Sequence, residues 1–364
     1  MDAAARIPAG IAAATDYEPH ARERMDPAAW AYLCGGAGDE ITLRANREAW
    51  DALRLLPRVL RPLAGGSADV ELLGRRWASP LLVAPMAHQR LAHPDGEAAT
   101  ALAAAAQGAG MVLSAQASQR LEDVAALVRD EPGRGPLWFQ LYLQRERAHT
   151  LELVRRAEAA GFEALVLTVD APTSGARDRE RRANFSLPPG IRAVNLRPQP
   201  PLPDGADFFE QVVAQAPTWD DVAWLRSAAT LPLLLKGVLH PADAREALAQ
   251  GAAGLIVSNH GGRTLDTAVS TARALPRIAD TLGGALPLLV DGGMRRGTDV
   301  LKALALGAQA VLLGRPVLHA LATAGALGVA HVLRLVRDEL EIAMALCGCR
   351  TLADIGPELI DGDS

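Results

Sequence analysis

From residue 80 onward the chain repeats one pattern eight times: a short apolar run suited to a buried strand, then an Ala-rich segment with helical spacing. The runs are Leu81 to Pro85, Met111 to Ser114, Leu137 to Leu143, Ala164 to Asp170, Leu231 to Val238, Gly254 to Asn259, Pro287 to Gly293 and Ala310 to Arg315. Helical stretches are expected between them at 95–108, 118–130, 146–160, 219–229, 241–250, 270–282 (interrupted by Pro276) and 298–306, with 316–324 closing the ring. Strands that are apolar throughout and alternate with helices belong to parallel sheets covered on both faces.

Eight such units within about 240 residues match an α/β fold of (β/α)8 TIM-barrel type, whose usual size is about 250 residues. The barrel is expected over about 80–325 of a single 1–364 domain. A helical N-terminal extension precedes it, with a helix start near Asp26–Gly35, and an amphipathic C-terminal helix follows at Gly328–Leu346. One connection, Ala171 to Thr218, is far longer than the rest, with Arg177, Arg179, Arg181 and Arg182 at its head and Pro198, Pro200, Pro201 and Pro203 in its middle. Loops of that length in compact domains are functional or disordered. It is read as an active-site lid, partly mobile.

Composition narrows the function. A net charge of −5 with interspersed signs offers no basic face for a nucleic acid. Three cysteines, Cys34, Cys347 and Cys349, are too few for a disulfide framework or a zinc site, so no metal and a reducing cytoplasm are expected. No apolar run has the length of a membrane span and no signal peptide is evident, so no membrane partner is expected. With 6 Trp, 5 Phe and only 3 Tyr, the core must be mostly Ala, Leu and Val, and each tyrosine calls for a reason.

In a barrel of this kind chemistry sits at the C-terminal ends of the strands. Polar residues collect there: Met86 after Ala84-Pro85, then Ser114, Gln140 with Tyr142, Thr168 with Asp170, Lys236, Ser258-Asn259-His260, Asp291-Gly292-Gly293 and Gly314-Arg315. Glycines and arginines after runs seven and eight, including Gly293, Arg295, Gly314 and Arg315, suit a phosphate-bearing cofactor. Lys236 ends an apolar run where an ammonium needs an anion, which a cofactor that becomes negative would supply; the bland alternative is a snorkelling lysine. His260, with Asp170 to hold it and Arg263 on the same turn, suits a base acting on a carboxylate substrate.

The stretch Ser258-Asn259-His260-Gly261-Gly262-Arg263-Thr264-Leu265-Asp266, with Leu235-Lys236-Gly237-Val238 and Asp291-Gly292-Gly293-Met294-Arg295-Arg296-Gly297, resembles the FMN-dependent 2-hydroxy acid oxidase and dehydrogenase family, over about Asp26 to Arg350. The resemblance implies FMN, with His260 as base, Asp170 as its partner, and Arg177 and Arg263 clamping the substrate carboxylate. It implies that Tyr32 and Tyr142 contact the carboxylate and hydroxyl. Lys236, Gln140, Thr168, Ser114 and Ser258 would surround the isoalloxazine ring, Ala84, Pro85 and Met86 would underlie it, and Asp291, Gly293, Arg295, Gly314 and Arg315 would hold the ribityl phosphate. A homo-oligomer, tetramer or octamer, is implied as well.

Met86 stands where glycolate oxidases have threonine, and Gln116 near their tryptophan, which implies a differently shaped, larger substrate-binding pocket. Ala84 to Pro94 looks most like the bacterial hydroxymandelate oxidase branch. The expected reaction oxidises an (S)-2-hydroxy acid, bulky or aromatic, to the 2-oxo acid, with O2 reduced to hydrogen peroxide. The same residues serve loss of the C2 proton or of the hydroxyl proton. Rival readings are a glycolate- or lactate-type oxidase, a soluble dehydrogenase feeding a quinone or cytochrome, an FMN isomerase, and a degenerate flavin-binding scaffold.

Overall fold

The computed structural model describes residues 6–197, 207–209 and 216–362. A hairpin, β1 (Val70–Leu72) and β2 (Arg75–Trp77), precedes eight parallel strands that close in sequence order into a barrel. These are β3 (Leu81–Val83), β4 (Gly110–Ser114), β5 (Leu137–Leu141), β6 (Ala164–Thr168), β7 (Leu233–Val238), β8 (Gly254–Val257), β9 (Leu288–Val290) and β10 (Ala310–Leu313), the last pairing back onto β3. All eight expected runs are strands. Several end earlier than the apolar runs do, so that Pro85, Leu143, Asp170, Asn259 and Gly293 lie in the loops beyond, and Arg315 opens the last α-helix.

Because successive side chains on a strand point to opposite faces, each run splits into two sets. Leu81, Val83, Met111, Leu113, Leu165, Leu167, Leu235 and Val257 pack outward against the helices in one large core. Leu82, Val112, Trp138, Val166, Leu234, Ile256, Leu289 and Leu312 fill the barrel interior in another. The hairpin adds Val70, Leu72 and Trp77 to this inner core at the N-terminal end, Trp77 meeting Trp138 edge-on at 5.7 Å between ring centroids. Two residues beyond each inner apolar residue stands a member of the upper ring: Ala84, Ser114, Gln140, Thr168, Lys236, Ser258, Asp291 and Gly314. The period of two that fills the barrel therefore also aims these eight positions at its mouth.

Surrounding the barrel are α4 (Gly96–Ala106), α5 (Leu121–Val128), α6 (Arg147–Ala160), α8 (Trp219–Ala228), α9 (Pro241–Ala249), α10 (Thr271–Leu282), α11 (Gly297–Ala305) and α12 (Arg315–Leu346). The interruption expected at Pro276 does not occur. Pro276 lies inside α10, which continues through it to a left-handed cap at Gly283, so the helix keeps its apolar face at the loss of one backbone bond. The two expected C-terminal helices run together as α12, bent at Ala324 and Gly325. By length and hydropathy α12 could cross a membrane, yet 78% of its most apolar window is buried inside the protein.

The N-terminal extension is richer than the single expected helix start: α1 (Tyr17–Arg24), α2 (Pro27–Cys34) and α3 (Ile41–Ala52). Asp26 caps α2 by accepting from the Ala28 and Ala29 N–H groups. Tyr17, which had no expected place, is fully buried, its hydroxyl 2.7 Å from His331 Nδ1. The long connection carries α7 (Asp178–Arg182) and is tied to α5 by Asn195, whose Oδ1 accepts from the Leu121 N–H at 2.9 Å. Its residues 198–206 and 210–215, including Pro198 to Pro203, lie outside the described residues, and so does the expectation about their order.

Candidate active site

A cavity of about 720 Å³ opens at the C-terminal end of the barrel. It is lined by Tyr32, Ala84, Pro85, Met86, Ser114, Gln116, Gln140, Tyr142, Thr168, Arg177, Lys236, His260, Arg263, Asp291, Gly293, Arg295, Gly314 and Arg315. Of the residues given a site role by the resemblance, Asp170 and Ser258 stay off this surface, one layer behind it.

The upper ring is bonded into two arcs. Ser114 Oγ donates to Gln140 Oε1 at 2.9 Å and Gln140 Nε2 donates to Thr168 Oγ1 at 3.0 Å, linking β4, β5 and β6. Across the mouth, Lys236 Nζ donates to Ser258 Oγ at 2.9 Å and lies 3.3 Å from Asp291 Oδ2, linking β7, β8 and β9. The Lys236 ammonium thus has an anion within the chain, Asp291, in addition to any that a cofactor would supply. Burial pulls its pKa down, but Asp291 and Asp170 outweigh it and the net shift is upward, so the lysine is a fixed positive charge.

His260 sits in the left-handed region (φ +56) just past β8, its Nδ1 2.9 Å from Asp170 Oδ1. The spacing is possible because the next residue after Lys236 is a glycine. Gly237 has φ +114, and a Cβ there would lie 2.5 Å from Asp170 Cβ. The strand pairing shifts register at that point. Burial and the Lys236 charge lower the His260 pKa below its ordinary value, with Asp170 pulling the other way. The imidazole is therefore neutral at pH 7 and able to accept a proton on Nε2. Burial alone would raise the Asp170 carboxyl; His260 and Lys236 turn the net shift downward and keep it ionised.

Arg263 donates from Nη1 to the carbonyls of Tyr32 and Gly35, both at 2.7 Å, and its guanidinium lies 5.6 Å over the Tyr32 ring. On the long connection after β6, Arg177 Nη1 is 3.4 Å from Glu180 Oε2, while its Nε is buried without a partner. Phe185 also stacks on Tyr32, at 4.4 Å and 13°. Burial pushes the Tyr142 hydroxyl up to about 12, so it remains a neutral donor.

A second tier was not evident from sequence. Asn46 of α3 and Asn259 exchange amide bonds, each Nδ2 donating to the other's Oδ1 at 2.8 Å, directly beside His260. Arg47 bonds Asp299 and the Gly293 carbonyl, and Trp50 Nε1 donates to the Gly292 carbonyl at 2.8 Å. One turn of α3 therefore fastens the loops after β8 and β9. Only the amphipathic spacing of 41–52 could have flagged it.

The donor set calls for a polyanionic ligand. Burial first, then the cations Arg177 and Arg315, depress Arg263 to about 10. Burial, opposed by Cys34 and reinforced by Arg295, depresses Arg315 to about 10. Such a cluster of buried guanidiniums is costly without anions among them. Arg315 opens α12 behind Gly314, so the helix N-terminus adds its own attraction for a phosphate. Arg315 Nε and Asp291 Oδ1 are buried without partners, one a donor for a phosphate and the other an acceptor for hydroxyls. Along with the two arcs of amide, hydroxyl and ammonium groups, these residues fit a ribityl phosphate joined to a flat polar ring. Residues 21–362 match the family model described as FMN-dependent dehydrogenase.

The chain belongs to that family. Its cofactor is FMN, and it is an oxidoreductase. An L-lactate oxidase of Alicycliphilus denitrificans is 50% identical over 98% of both chains, and glycolate oxidase 1 of Zea mays is 46% identical over 93% of both. Among solved structures, mandelate oxidase bound to (S)-2-phenylpropionate is 42% identical, with a TM-score of 0.87 over 96% of this chain and 98% of that one.

Proposed function

We propose that the protein oxidises an (S)-2-hydroxy acid to the 2-oxo acid, the two electrons and two protons going to O2 to give hydrogen peroxide. The observation that carries this reading is the His260–Asp170 pair facing the same cavity as Arg177 and Arg263. The two guanidiniums hold the substrate carboxylate and fix C2 near His260. Tyr32 and Tyr142 orient the carboxylate and hydroxyl. His260 takes a proton, and Asp170 steadies the resulting imidazolium. FMN, when bound, accepts the electron pair. Lys236 contributes a fixed positive charge beneath the reacting centre, and preorganisation of these charges supplies most of the acceleration.

A bulky or aromatic substrate is supported by the apolar residues at the mouth, Met86, Leu143, Leu196 and Phe208, and by the likeness to mandelate oxidase. A lactate-type substrate is the second reading, supported by the greater identity to L-lactate oxidases. Anaerobic mixing of the purified holoenzyme with (S)-mandelate, (S)-lactate and glycolate decides between them by which acid bleaches the flavin. No bleaching by any 2-hydroxy acid overturns the proposal, and peroxide yield in air against reduction of an artificial acceptor separates oxidase from dehydrogenase. His260→Ala is expected to keep FMN but lose about 10²–10⁴ in the rate of reduction.

A homo-oligomer is part of the proposal. Val59 and fully exposed Leu60 stand beside the end of α12, where Ile342 and Leu346 are also exposed. The Arg58 N–H bonds the Cys347 carbonyl there, at 3.3 Å. Light scattering on the purified protein tests it.

A further inference from the structure

His88 takes no part in the reaction above, yet it lines the cavity with 5% of its surface exposed. Its backbone is in the left-handed region at φ +49, an uncommon conformation for a residue with a Cβ. The backbone is pinned there by a 3.2 Å bond from the His88 N–H to the Gln116 carbonyl. Its ring lies 6.2 Å from that of Tyr32. Burial lowers its pKa, so the ring is neutral at pH 7 and carries a single N–H. Nδ1 is sealed from solvent without a partner. Nδ1 is unpaired in either tautomer, but a buried orphan donor is costlier than a buried orphan lone pair, so the N–H is assigned to Nε2. Gln116 and Met86 line the same cavity.

We propose that His88, with Gln116 lining the same cavity, recognises a neutral hydrogen-bonding group on the substrate's own side chain. The preferred 2-hydroxy acid then carries a hydroxyl or carbonyl there rather than bare hydrocarbon. A second carboxylate is disfavoured by the buried Glu97, whose charge acts on His88. The site's arginines Arg177 and Arg263 are already assigned to the first carboxylate. A pocket built to hydrogen-bond a group discriminates against analogues lacking it because its own polar atoms are then left unpaired.

The inference rests on the 2-hydroxy acid reading, and the experiment separates the two. Anaerobic flavin reduction is followed with two matched pairs, (S)-mandelate against (S)-4-hydroxymandelate and (S)-lactate against L-glycerate. In at least one pair the hydroxylated acid is expected to show a kcat/KM higher by roughly tenfold, the worth of one well-made hydrogen bond. His88→Leu is expected to collapse that ratio to about threefold or less, and His88→Gln, which keeps an N–H donor, to restore part of it. Wild-type enzyme that treats both pairs alike, or prefers the unhydroxylated acid in both, overturns the proposal without any variant. So does a His88→Leu enzyme that keeps the full preference. Failure of the underlying reading looks different: none of the four acids reduces the wild-type flavin.

Discussion

Replacing Asp170 by Asn removes one charge and leaves the shape of the site. The amide oxygen can still accept from His260 Nδ1 across the 2.9 Å now spanned by the carboxylate. What is lost is the counter-charge for the imidazolium. A hydrogen bond to a charged group contributes about 1.5–3 kcal/mol, which corresponds to a roughly 10- to 100-fold slower proton transfer and a His260 pKa moved further down. The sign follows from the site's charges. Burial and Lys236 already hold His260 down, and Asp170 is the group that opposes them. His260 works as a base only when neutral, so activity falls as pH drops through its pKa. In Asp170→Asn that acid limb should move to lower pH while the plateau rate falls. Stopped-flow reduction of the bound flavin with saturating substrate, repeated across pH, measures both, and flavin absorbance checks that FMN is retained. A variant with an unchanged plateau and limb would refute the role given to Asp170, and a limb shifted to higher pH would refute the electrostatic account.

Other perturbations probe the remaining supports. Lys236→Met strands the Asp291 carboxylate, 3.3 Å from the lost ammonium; a stability loss of about 3–5 kcal/mol and poor retention of FMN are expected by denaturant titration and gel filtration. Gly237→Ala drives a methyl into Asp170 Cβ, so kcat should fall well before FMN binding does, read from steady-state kinetics and flavin content. Phe185→Ala removes the ring stacked on Tyr32, worth about 0.5–1.5 kcal/mol; KM should rise roughly two- to tenfold with kcat nearly unchanged.

The barrel was legible because its strands are buried on both faces and so read as uninterrupted apolar runs. The same runs place Ser114, Gln140, Thr168, Lys236 and Asp291 at their far ends, and the period of two does the rest. Legibility failed where partners are far apart in sequence. Nothing near Asn46 announces Asn259, and nothing near Lys236 says that Asp291, rather than a ligand alone, neutralises it. Pro276 misled in the other direction, since a local rule about helix breaking gave way to the apolar face that α10 buries. His88 drew no notice because its significance lies in backbone conformation and an unpartnered ring nitrogen, neither of which a residue name carries.

The hairpin that sends Val70, Leu72 and Trp77 into the N-terminal end of the barrel closes its packed interior from below. Among the described residues the cavity opens at the C-terminal end, so substrate, oxo acid and whatever collects the electrons share that side of the barrel. Traffic through a shared cavity is sequential. The departing product and the incoming acceptor compete for the cavity lined by Arg177 and Tyr142, and a change in the 171–218 connection that leaves the chemistry untouched would still alter how long the reduced enzyme waits.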